Sequence, residues 1–349
     1  MKKPQKTSGL RIAQELDVVS PRALQQEFPI TSIARKCVED GRKSLNAILS
    51  GVERRTIIMC GPCSVHSYYE ALEYALLLKK LEQVVQDKIL IIMRVYFEKP
   101  RTTIGWKGLI VDPDLNGKED LNRGLSLARK TLLSINGIGL PTVTEFLGPI
   151  IPRYISDLIT TGTIGARTTE SQTHREMASG LSMPIGFKNG TDGSVINALN
   201  ACLTAKVPHS FLGIDMNGQL KVIQTTGNPD GYLVLRGGKN GTNYDKESVE
   251  KALHEIKQRN LGVRIVVDCS HENSGKKHVN QKIAFHSVLE QITSGESRLA
   301  GMMLESNLLP GRQDIHPNTP LQHGVSVTDE CMGWDETESL ILDAHSRLY

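Results

Sequence analysis

Eight polar side chains stand at intervals along the chain, each at or just beyond the end of a short apolar segment. They are Cys63, Arg94, Glu145, Arg167, Lys188, Arg236, His271 and Glu305. Three further cations, Lys99, Arg101 and Lys107, lie in the polar segment 98–118. Guanidinium groups bind phosphate and carboxylate through paired hydrogen bonds, and ammonium groups act as point charges. This composition indicates a site for substrates that carry phosphate and carboxylate groups, since so many cations around one cavity would otherwise repel each other.

A second group of residues offers the donors of a divalent metal site. Cys63, His271 and Glu305, with Asp329 near the C-terminus, supply a thiolate, an imidazole and two carboxylates, which suit Mn, Fe, Co or Zn. Their spacing is wide and makes no local motif. Each residue therefore has a structural alternative: a buried thiol, a hydrogen-bonded histidine, or acids that cap helices or lie in loops. The residue types alone leave both interpretations open.

Two short motifs suggest other functions. The segment CGPC at 60–63 matches a thioredoxin-type redox pair, but it follows an apolar strand in a much longer chain. A zinc ribbon would need a second CxxC, which the sequence lacks. The segment RGGKNG at 236–241 fits neither the dinucleotide fingerprint nor the Walker A pattern, and it is more typical of a tight turn close to a ligand.

Composition limits the class of protein. The 349 residues carry a net charge of +3 and are 39% hydrophobic, which is ordinary for a globular chain and does not indicate nucleic-acid binding. The six cysteines do not suggest a secreted disulfide framework. No apolar run after the first lysines predicts a signal peptide, and none is long enough to span a membrane. We expect a cytoplasmic protein with no membrane contact.

The elements that must position these residues follow a repeating pattern. Eight β-rich runs recur along the chain, most of them continuously apolar, as buried parallel strands are. They cover residues 55–60, 89–96, 141–146, 163–167, 184–188, 232–236, 263–270 and 299–306. Helical patterns occupy residues 31–49, 69–85, 194–205 and 246–258.

Eight strand–helix units predict an α/β fold of the (β/α)8 TIM-barrel type, with an open doubly wound sheet as the alternative. We expect an N-terminal extension at residues 1–50 and a catalytic barrel at 51–349. A β-hairpin at about 209–226, turning at Asn217 and Gly218, is predicted as an insertion before the sixth barrel strand. The segment 98–118 is too long for a plain connection, so it is a candidate active-site loop.

Long blocks of the sequence carry a family resemblance, from about residue 30 almost to the C-terminus. They include GPCSVH (61–66), GARTTESQTHRE (165–176), LRGGKNGTNYD (235–245), DCSHENS (268–274) and GVSVTDECMGW (324–334). The sequence resembles the type I synthases of 3-deoxy-D-arabino-heptulosonate 7-phosphate (DAHP), in the branch of feedback-regulated microbial isoenzymes. The resemblance implies condensation of phosphoenolpyruvate with erythrose 4-phosphate as the first step of the shikimate pathway.

The resemblance also implies a role for each residue at a matching position. The metal ligands would be Cys63, His271, Glu305 and Asp329. The residues that hold phosphoenolpyruvate or line its pocket would be Arg94, Lys99, Lys107, Glu145, Arg167, Lys188 and Arg236, with Arg167 and Arg236 on its phosphate. Arg101 and Thr102 would bind the phosphate of erythrose 4-phosphate. The metal would be Mn²⁺ first, with Fe²⁺, Co²⁺ or Zn²⁺ as alternatives, and Lys99 or His271 would donate the proton to the developing alkoxide.

Relatives in this family are inhibited by aromatic amino acids and form dimers or tetramers. The resemblance implies an effector site away from the catalytic centre, lined by Pro152, Met177, Leu181, Phe211 and Gly213. Gly213 favours tyrosine as the effector, with phenylalanine second. Ser8 and Gly9 replace an acidic pair of phenylalanine-sensitive relatives, which leaves open an altered or absent effector site. The chain is expected to form a homodimer or homotetramer.

Three other functions compete with this interpretation. The sibling condensation with arabinose 5-phosphate uses the same fold and the same hold on phosphoenolpyruvate. A redox protein would use Cys60 and Cys63 as a pair. A non-catalytic phosphosugar sensor would need no complete set of metal donors, so the intact Cys63, His271, Glu305 and Asp329 disfavour it.

Overall fold

Eight parallel strands close into a barrel in the computed structural model, which describes residues 7–101, 105–316 and 319–349. The barrel strands are β1 (Thr56–Gly61), β2 (Ile89–Arg94), β3 (Thr142–Glu145), β4 (Thr161–Ile164), β5 (Ile185–Lys188), β8 (Gly231–Leu235), β9 (Ile265–Asp268) and β10 (Leu299–Glu305). Their order around the barrel is β1-β10-β9-β8-β5-β4-β3-β2. The predicted TIM barrel is therefore confirmed, and the open doubly wound sheet is excluded.

Helices cover the outside of this barrel. They are α1 (Pro21–Glu27), α2 (Ser32–Ser50), α3 (Tyr68–Val85), α4 (Leu121–Gly137), α5 (Pro152–Ile155), α6 (Gln172–Ser179), α7 (Ile196–Ala205), α8 (Lys246–Gln258), α9 (Gln281–Thr293) and α10 (Trp334–Arg347). Side chains cap several of their starts: Thr31 accepts from the backbone N–H of Ala34, and Asp245 from that of Ser248. No helix among the described residues is long and apolar enough to cross a bilayer.

Strand boundaries differ most from the prediction at β4. The sequence predicts a strand at 163–167, whereas the structure has it at Thr161–Ile164. Register explains the difference, because Val143 of β3 pairs with Thr161. The backbone after Ile164 turns at Gly165, whose carbonyl accepts from the N–H groups of Thr168 and Thr169. Arg167 therefore stands on a turn rather than on a strand.

The N-terminal end of the barrel is closed by α2. Leu45 and Ile48 are fully buried against inward-facing side chains such as Ile57 and Leu90. A helix in the predicted extension thus shares the inner core of the barrel. The division into residues 1–50 and 51–349 stays a prediction.

The inserted hairpin is formed by β6 (Ser210–Ile214) and β7 (Leu220–Gln224). The two strands are antiparallel, with Phe211 opposite Ile223, and they lie outside the barrel between α7 and β8. The predicted insertion before the sixth barrel strand, β8, is therefore confirmed.

Candidate active site

Alternation along the strands brings the polar residues to the inner face of the barrel at its C-terminal end. Successive side chains of a strand point to opposite faces, so residues two apart share a face. Ile92, Val143 and Val266 belong to the inner core of the barrel. The residues two positions further on are Arg94, Glu145 and Asp268, and all three are buried. Catalytic residues of TIM barrels come from this end.

Buried cations and carboxylates alternate across this end of the barrel. The guanidinium of Arg94 lies 2.9 Å from Glu305. The ammonium of Lys188 lies 3.0 Å from Glu145 and 3.6 Å from the Asp268 carboxylate. Burial would disfavour each charge alone, but each buried cation here faces a carboxylate partner. Burial alone would raise the pKa of Glu145, whereas Lys188 and Lys99 bring it below its ordinary value.

An aromatic ring supports two of these cations. The Arg94 guanidinium stands 3.9 Å from the centre of the Tyr96 ring, and the Lys188 ammonium stands 5.4 Å from it. Both distances allow a cation–π interaction in a site from which water is excluded. The Tyr96 hydroxyl lies 3.0 Å from the Thr163 hydroxyl, which fixes the ring. Tyr96 therefore holds the cationic floor of the site in place.

Three of the four predicted metal donors meet beside this floor. The ligand atoms of Cys63, Glu305 and Asp329 all lie within 4.8 Å of one another. Just before Cys63, Gly61 lets the backbone lie close to β2, since a Cβ atom there would lie 2.8 Å from the Arg94 carbonyl oxygen. The Nε2 atom of His271 is 3.7 Å from a Glu305 oxygen, so the imidazole borders the same group. Cys63, His271, Glu305 and Asp329 are called the metal-donor set below.

The donor chemistry of this set fits a divalent transition metal. One thiolate, one imidazole and two carboxylates are the mixed soft and hard ligands that Mn²⁺, Fe²⁺, Co²⁺ or Zn²⁺ accept. Burial raises the pKa of the Cys63 thiol to about 11, and the nearby Glu305 carboxylate adds to the effect. A bound cation reverses this preference, because a coordinating thiol is deprotonated. A group of such donors, with ligand atoms this close together, is found nowhere else among the residues that the structure describes.

Lys99 reaches into the metal-donor set from the segment after β2. Its ammonium lies 3.1 Å from the Cys63 sulfur and 3.1 Å from the Cys63 carbonyl oxygen. Burial alone would lower the pKa of Lys99, but the acidic groups of the set raise it above its ordinary value. The side chain is therefore a protonated cation at neutral pH, held where a substrate would meet the metal donors.

A small cleft opens next to Lys188, and we call it the substrate cleft. Its lining includes Glu145, Leu147, Arg167, Lys188, Arg236 and His271. Arg236 is buried and lies 3.8 Å from Glu272, whereas Arg167 is exposed at the rim. The structure thus brings the two predicted phosphate ligands, Arg167 and Arg236, to one opening.

Two predicted substrate residues lie away from this cleft, and a third lies outside the described residues. The Lys107 ammonium is exposed and pairs with Glu119 at 2.7 Å, so its contact with substrate stays a prediction that this conformation does not display. Arg101 is exposed, and its guanidinium packs over Gly105. Thr102 lies outside the described residues.

The predicted effector residues meet at a separate cavity of about 800 Å³. Pro152, Met177, Leu181, Phe211 and Gly213 all line it. The walls come from α5, α6 and the inner side of the hairpin. We call it the hairpin cavity. The effector role of the hairpin cavity stays a prediction.

Sequence reasoning missed two residues that organise the site. Asp268 is fully buried and lies 2.9 Å from the Nδ1 atom of His271. Tyr96 stands under two cations, as described above. Both could have been found from alternation, because Asp268 follows Val266 and Tyr96 follows Arg94 by two residues on inward-facing positions.

Burial of the thiols disfavours the redox pair that CGPC suggests. All six cysteines are free, and burial raises the pKa of Cys60 to about 12. Such a thiol is a poor nucleophile.

Comparisons with known proteins agree with the geometry. The profile of the DAHP synthetase I family matches residues 27–341. The Tyr-sensitive phospho-2-dehydro-3-deoxyheptonate aldolase of Escherichia coli (strain K12) is 47% identical over 342 residues, which cover 98% of this chain and 96% of that protein. The Trp-sensitive enzyme of the same strain is 46% identical over 336 residues, 96% of each chain.

A solved structure supports the same assignment. Phospho-2-dehydro-3-deoxyheptonate aldolase from Francisella tularensis SCHU S4 aligns with a TM-score of 0.94 and 43% sequence identity, covering 97% of this chain and 98% of that one. The resemblance read from the sequence is confirmed: the chain belongs to the DAHP synthetase I family.

Proposed function

We propose that the chain is a DAHP synthase, which condenses phosphoenolpyruvate with erythrose 4-phosphate and water to give DAHP and phosphate. This is the first step of the shikimate pathway to the aromatic amino acids. The observation that carries the proposal is the juxtaposition of the buried cations Arg94 and Lys188 with the metal-donor set at one end of the barrel. Relatives over nearly the whole chain are named phospho-2-dehydro-3-deoxyheptonate aldolase, the same activity.

Phosphoenolpyruvate would be held by the cations of the barrel floor and the substrate cleft. Arg167 and Arg236 would take its phosphate, and Arg94 and Lys188 would neutralise its carboxylate side. Arginine forks give paired, charge-assisted hydrogen bonds to such groups. Arg94 is fully buried and fixed by Glu305 and the Tyr96 ring, so it loses little freedom when the substrate binds.

Erythrose 4-phosphate would bind next to the segment 98–118. Arg101 is exposed at the start of this segment, where it could meet the second phosphate. Arg101 and Thr102 are proposed as its ligands, with Lys107 as a further cation of the loop. Holding the two anionic substrates side by side makes the bimolecular step effectively unimolecular.

The reaction then forms one carbon–carbon bond and one carbon–oxygen bond, the latter to water, and breaks the carbon–oxygen bond to phosphate. The C3 atom of phosphoenolpyruvate attacks the aldehyde carbon of the sugar, and a proton goes to the resulting alkoxide. Lys99 is the proposed donor because it stays protonated, whereas the Nδ1 atom of His271 faces Asp268 and its Nε2 atom faces Glu305. Water adds at C2 and loses both protons as C2 becomes the ketone: one restores Lys99 and the other goes to the departing phosphate. Phosphate leaves with its bridging oxygen towards Arg167 and Arg236, which would stabilise the departing charge.

The metal-donor set would hold the divalent cation that the family implies, with Mn²⁺ proposed first. When bound, this cation polarises the aldehyde as a Lewis acid. The Asp268 carboxylate orients the His271 ring for such binding, as carboxylates commonly do for metal-bound histidines.

We also propose feedback inhibition by an aromatic amino acid in the hairpin cavity, with tyrosine first and phenylalanine second. The cavity is large enough for such a ligand and is lined partly by apolar side chains, including Met177 and Phe211. Relatives are named Tyr-sensitive and Trp-sensitive. A homodimer or homotetramer is proposed as well. Its support is the exposure of Leu10 and Leu16 in the N-terminal segment and of Leu212 and Val222 on the hairpin.

The test is loss of phosphoenolpyruvate in the presence of erythrose 4-phosphate, measured after chelation and again after Mn²⁺ is added. Consumption that requires both the sugar and the metal is expected. Replacing the sugar by arabinose 5-phosphate separates the sibling reaction. A folded protein that consumes phosphoenolpyruvate in neither case would overturn the proposal.

A further inference from the structure

Glu98 is the first residue of the segment 98–118, at the point where the segment leaves the barrel, which we call its neck. Its side chain contacts a different part of the barrel. One of its carboxylate oxygens accepts from the backbone N–H of Leu147 at 3.2 Å, and the other from that of Gly148 at 3.0 Å. These two residues form the turn that follows β3, about fifty positions away in the chain. A side chain that satisfies two consecutive backbone donors fixes both the turn and its own backbone.

The neck itself is closed by backbone contacts. The N–H of Lys99 donates to the Lys107 carbonyl at 3.0 Å, and the N–H of Ile110 donates to the Phe97 carbonyl at 3.4 Å. Gly108 packs so closely that a Cβ atom there would lie 2.2 Å from the Phe97 carbonyl oxygen. The described part of the segment therefore leaves the barrel through one narrow point. Lys99 and Arg101 follow Glu98 closely in the chain, so we expect a shift at Glu98 to move both.

The turn at the other end of this contact belongs to the substrate cleft. Leu147 lines the cleft beside Arg167. The Leu147 carbonyl lies 2.8 Å from the Nε2 atom of His174 on α6, and the Gly148 carbonyl accepts from the N–H of Ile151. The turn is thus held on its far side and can serve as a fixed anchor for Glu98.

Given the proposed condensation, we propose that Glu98 is a positioning residue, which fastens the neck of the segment 98–118 to the Leu147–Gly148 turn and thereby sets the affinity for the aldose phosphate. Arg94 and Lys188 of the barrel floor stand on strands and do not depend on this contact. Lys99, the proposed proton donor, follows Glu98 directly, so kcat is expected to fall as well when the contact is lost. Arg101 stands beyond the neck and does depend on it. Loss of the contact is therefore expected to weaken binding of the second substrate more than binding of phosphoenolpyruvate.

Titration of Glu98 gives this role a distinctive readout. Burial raises the pKa of Glu98 to about 7, the two backbone N–H groups oppose the rise, and the charge of Glu145 adds to it. The other titratable groups at this place are Lys99, which points to Cys63, and His174, which contacts the far side of the turn. Above about pH 7 the carboxylate accepts both hydrogen bonds at full strength. Below it the protonated group accepts them more weakly.

The experiment compares the wild-type protein with Glu98→Gln, which keeps the size of the side chain and removes the charge. In the variant we expect KM for erythrose 4-phosphate to rise roughly 10-fold, while KM for phosphoenolpyruvate changes by less than about 3-fold. In the wild type, KM for the sugar is expected to rise as pH falls through about 7. Substrate phosphates also titrate near pH 6, so the variant serves to isolate Glu98: its profile should lack the step near pH 7.

A second variant reaches the same contact from the opposite side. In Gly148→Ala the added Cβ atom would lie 3.1 Å from a Glu98 oxygen and 2.8 Å from the Ile151 side chain. If Glu98→Gln does not fold, Gly148→Ala should show the same pattern, with a larger rise in KM for erythrose 4-phosphate than in KM for phosphoenolpyruvate. Glu250→Gln, an exposed carboxylate on α8, is the matched control and should change neither constant.

Amide hydrogen exchange tests the contact of Glu98 with the turn without measuring activity. Glu98→Gln should speed exchange at the amides of Leu147 and Gly148 and in the loop neck, as should lowering the pH of the wild type from about 8 to about 6 after correction for the intrinsic rate. An inactive wild type with this exchange pattern would sink the proposed function and leave the contact intact. Equal changes in both KM values, or unchanged constants and exchange in the variant, would overturn the role of Glu98.

Discussion

The Nδ1 atom of His271 lies 2.9 Å from the carboxylate of Asp268, three residues earlier at the end of β9. The Ser270 hydroxyl is 2.8 Å from the same ring nitrogen and 2.6 Å from an Asp268 oxygen. His271 itself has a left-handed backbone, with φ of +53°. This conformation is uncommon for a residue other than glycine, and it turns the imidazole back over the barrel mouth. The ring is therefore oriented by its neighbours before any ligand arrives.

Removing the Asp268 charge should loosen the metal site without changing its ligands. In Asp268→Asn the imidazole loses the carboxylate that fixes its orientation, and we expect metal affinity to fall roughly 10- to 100-fold. Titration with Mn²⁺, followed by calorimetry, measures the change. Activity should return in part at high Mn²⁺. Asp40→Asn, at an exposed position on α2, is the control, and unchanged Mn²⁺ affinity in Asp268→Asn would contradict the role of Asp268.

The two cysteines of CGPC should differ sharply in importance. Cys63 belongs to the metal-donor set, so Cys63→Ser removes the soft ligand and is expected to lower kcat/KM by roughly 100-fold or more. Cys60 is not one of those donors and packs in the buried apolar cluster that includes Tyr74 and Leu78 of α3. Cys60→Ser should therefore keep activity within about 3-fold, while it lowers the free energy of unfolding by roughly 1–3 kcal/mol. Steady-state kinetics and thermal melting measure the two effects. Equal losses of activity in Cys60→Ser and Cys63→Ser would contradict this difference and support the redox-pair interpretation.

Much of the site could be predicted because barrel geometry is encoded locally. Continuous apolar runs identify the strands, and the polar residue at each strand end marks the catalytic face. Cys63 and Glu305 meet because β1 and β10 are hydrogen-bonded neighbours, with Gly61 opposite Glu305. Such neighbours follow from closure of the barrel, which the strand count implies.

Other features could not be read from the chain. The contact of Glu98 with Leu147 and Gly148 depends on the path of two loops, which no periodicity encodes. The same holds for Lys107, which sequence reasoning placed near the substrate and which pairs with Glu119 in this conformation. The role of α2 was also hidden. Its apolar face is visible in the sequence, but only the fold shows that Leu45 and Ile48 close the barrel.

Arg167 is expected to act on the phosphate of phosphoenolpyruvate. Charge-assisted hydrogen bonds contribute about 1.5–3 kcal/mol each, so Arg167→Ala should lower kcat/KM for phosphoenolpyruvate by roughly 10- to 100-fold. Arg167→Lys keeps the charge but loses the planar fork, and should recover only part of the loss. Initial rates at varied phosphoenolpyruvate give the comparison. An alanine variant with near-normal turnover and KM would rule out the phosphate role.

The hairpin cavity offers a test of regulation that leaves the catalytic residues untouched. Gly213 lines the cavity on β6, and a Cβ atom there would lie 2.8 Å from the Ile223 side chain. Gly213→Ala therefore forces Ile223 to move and changes the shape of the wall. We expect the tyrosine concentration for half-inhibition to rise roughly 10-fold, since one lost or clashing methyl-sized contact in an apolar pocket changes binding by about 1–3 kcal/mol. Inhibition curves with tyrosine, phenylalanine and tryptophan measure the change, and Glu250→Gln, at an exposed position on α8 that does not line the cavity, is the control. Inhibition curves identical to those of the wild type for all three amino acids would place the effector elsewhere.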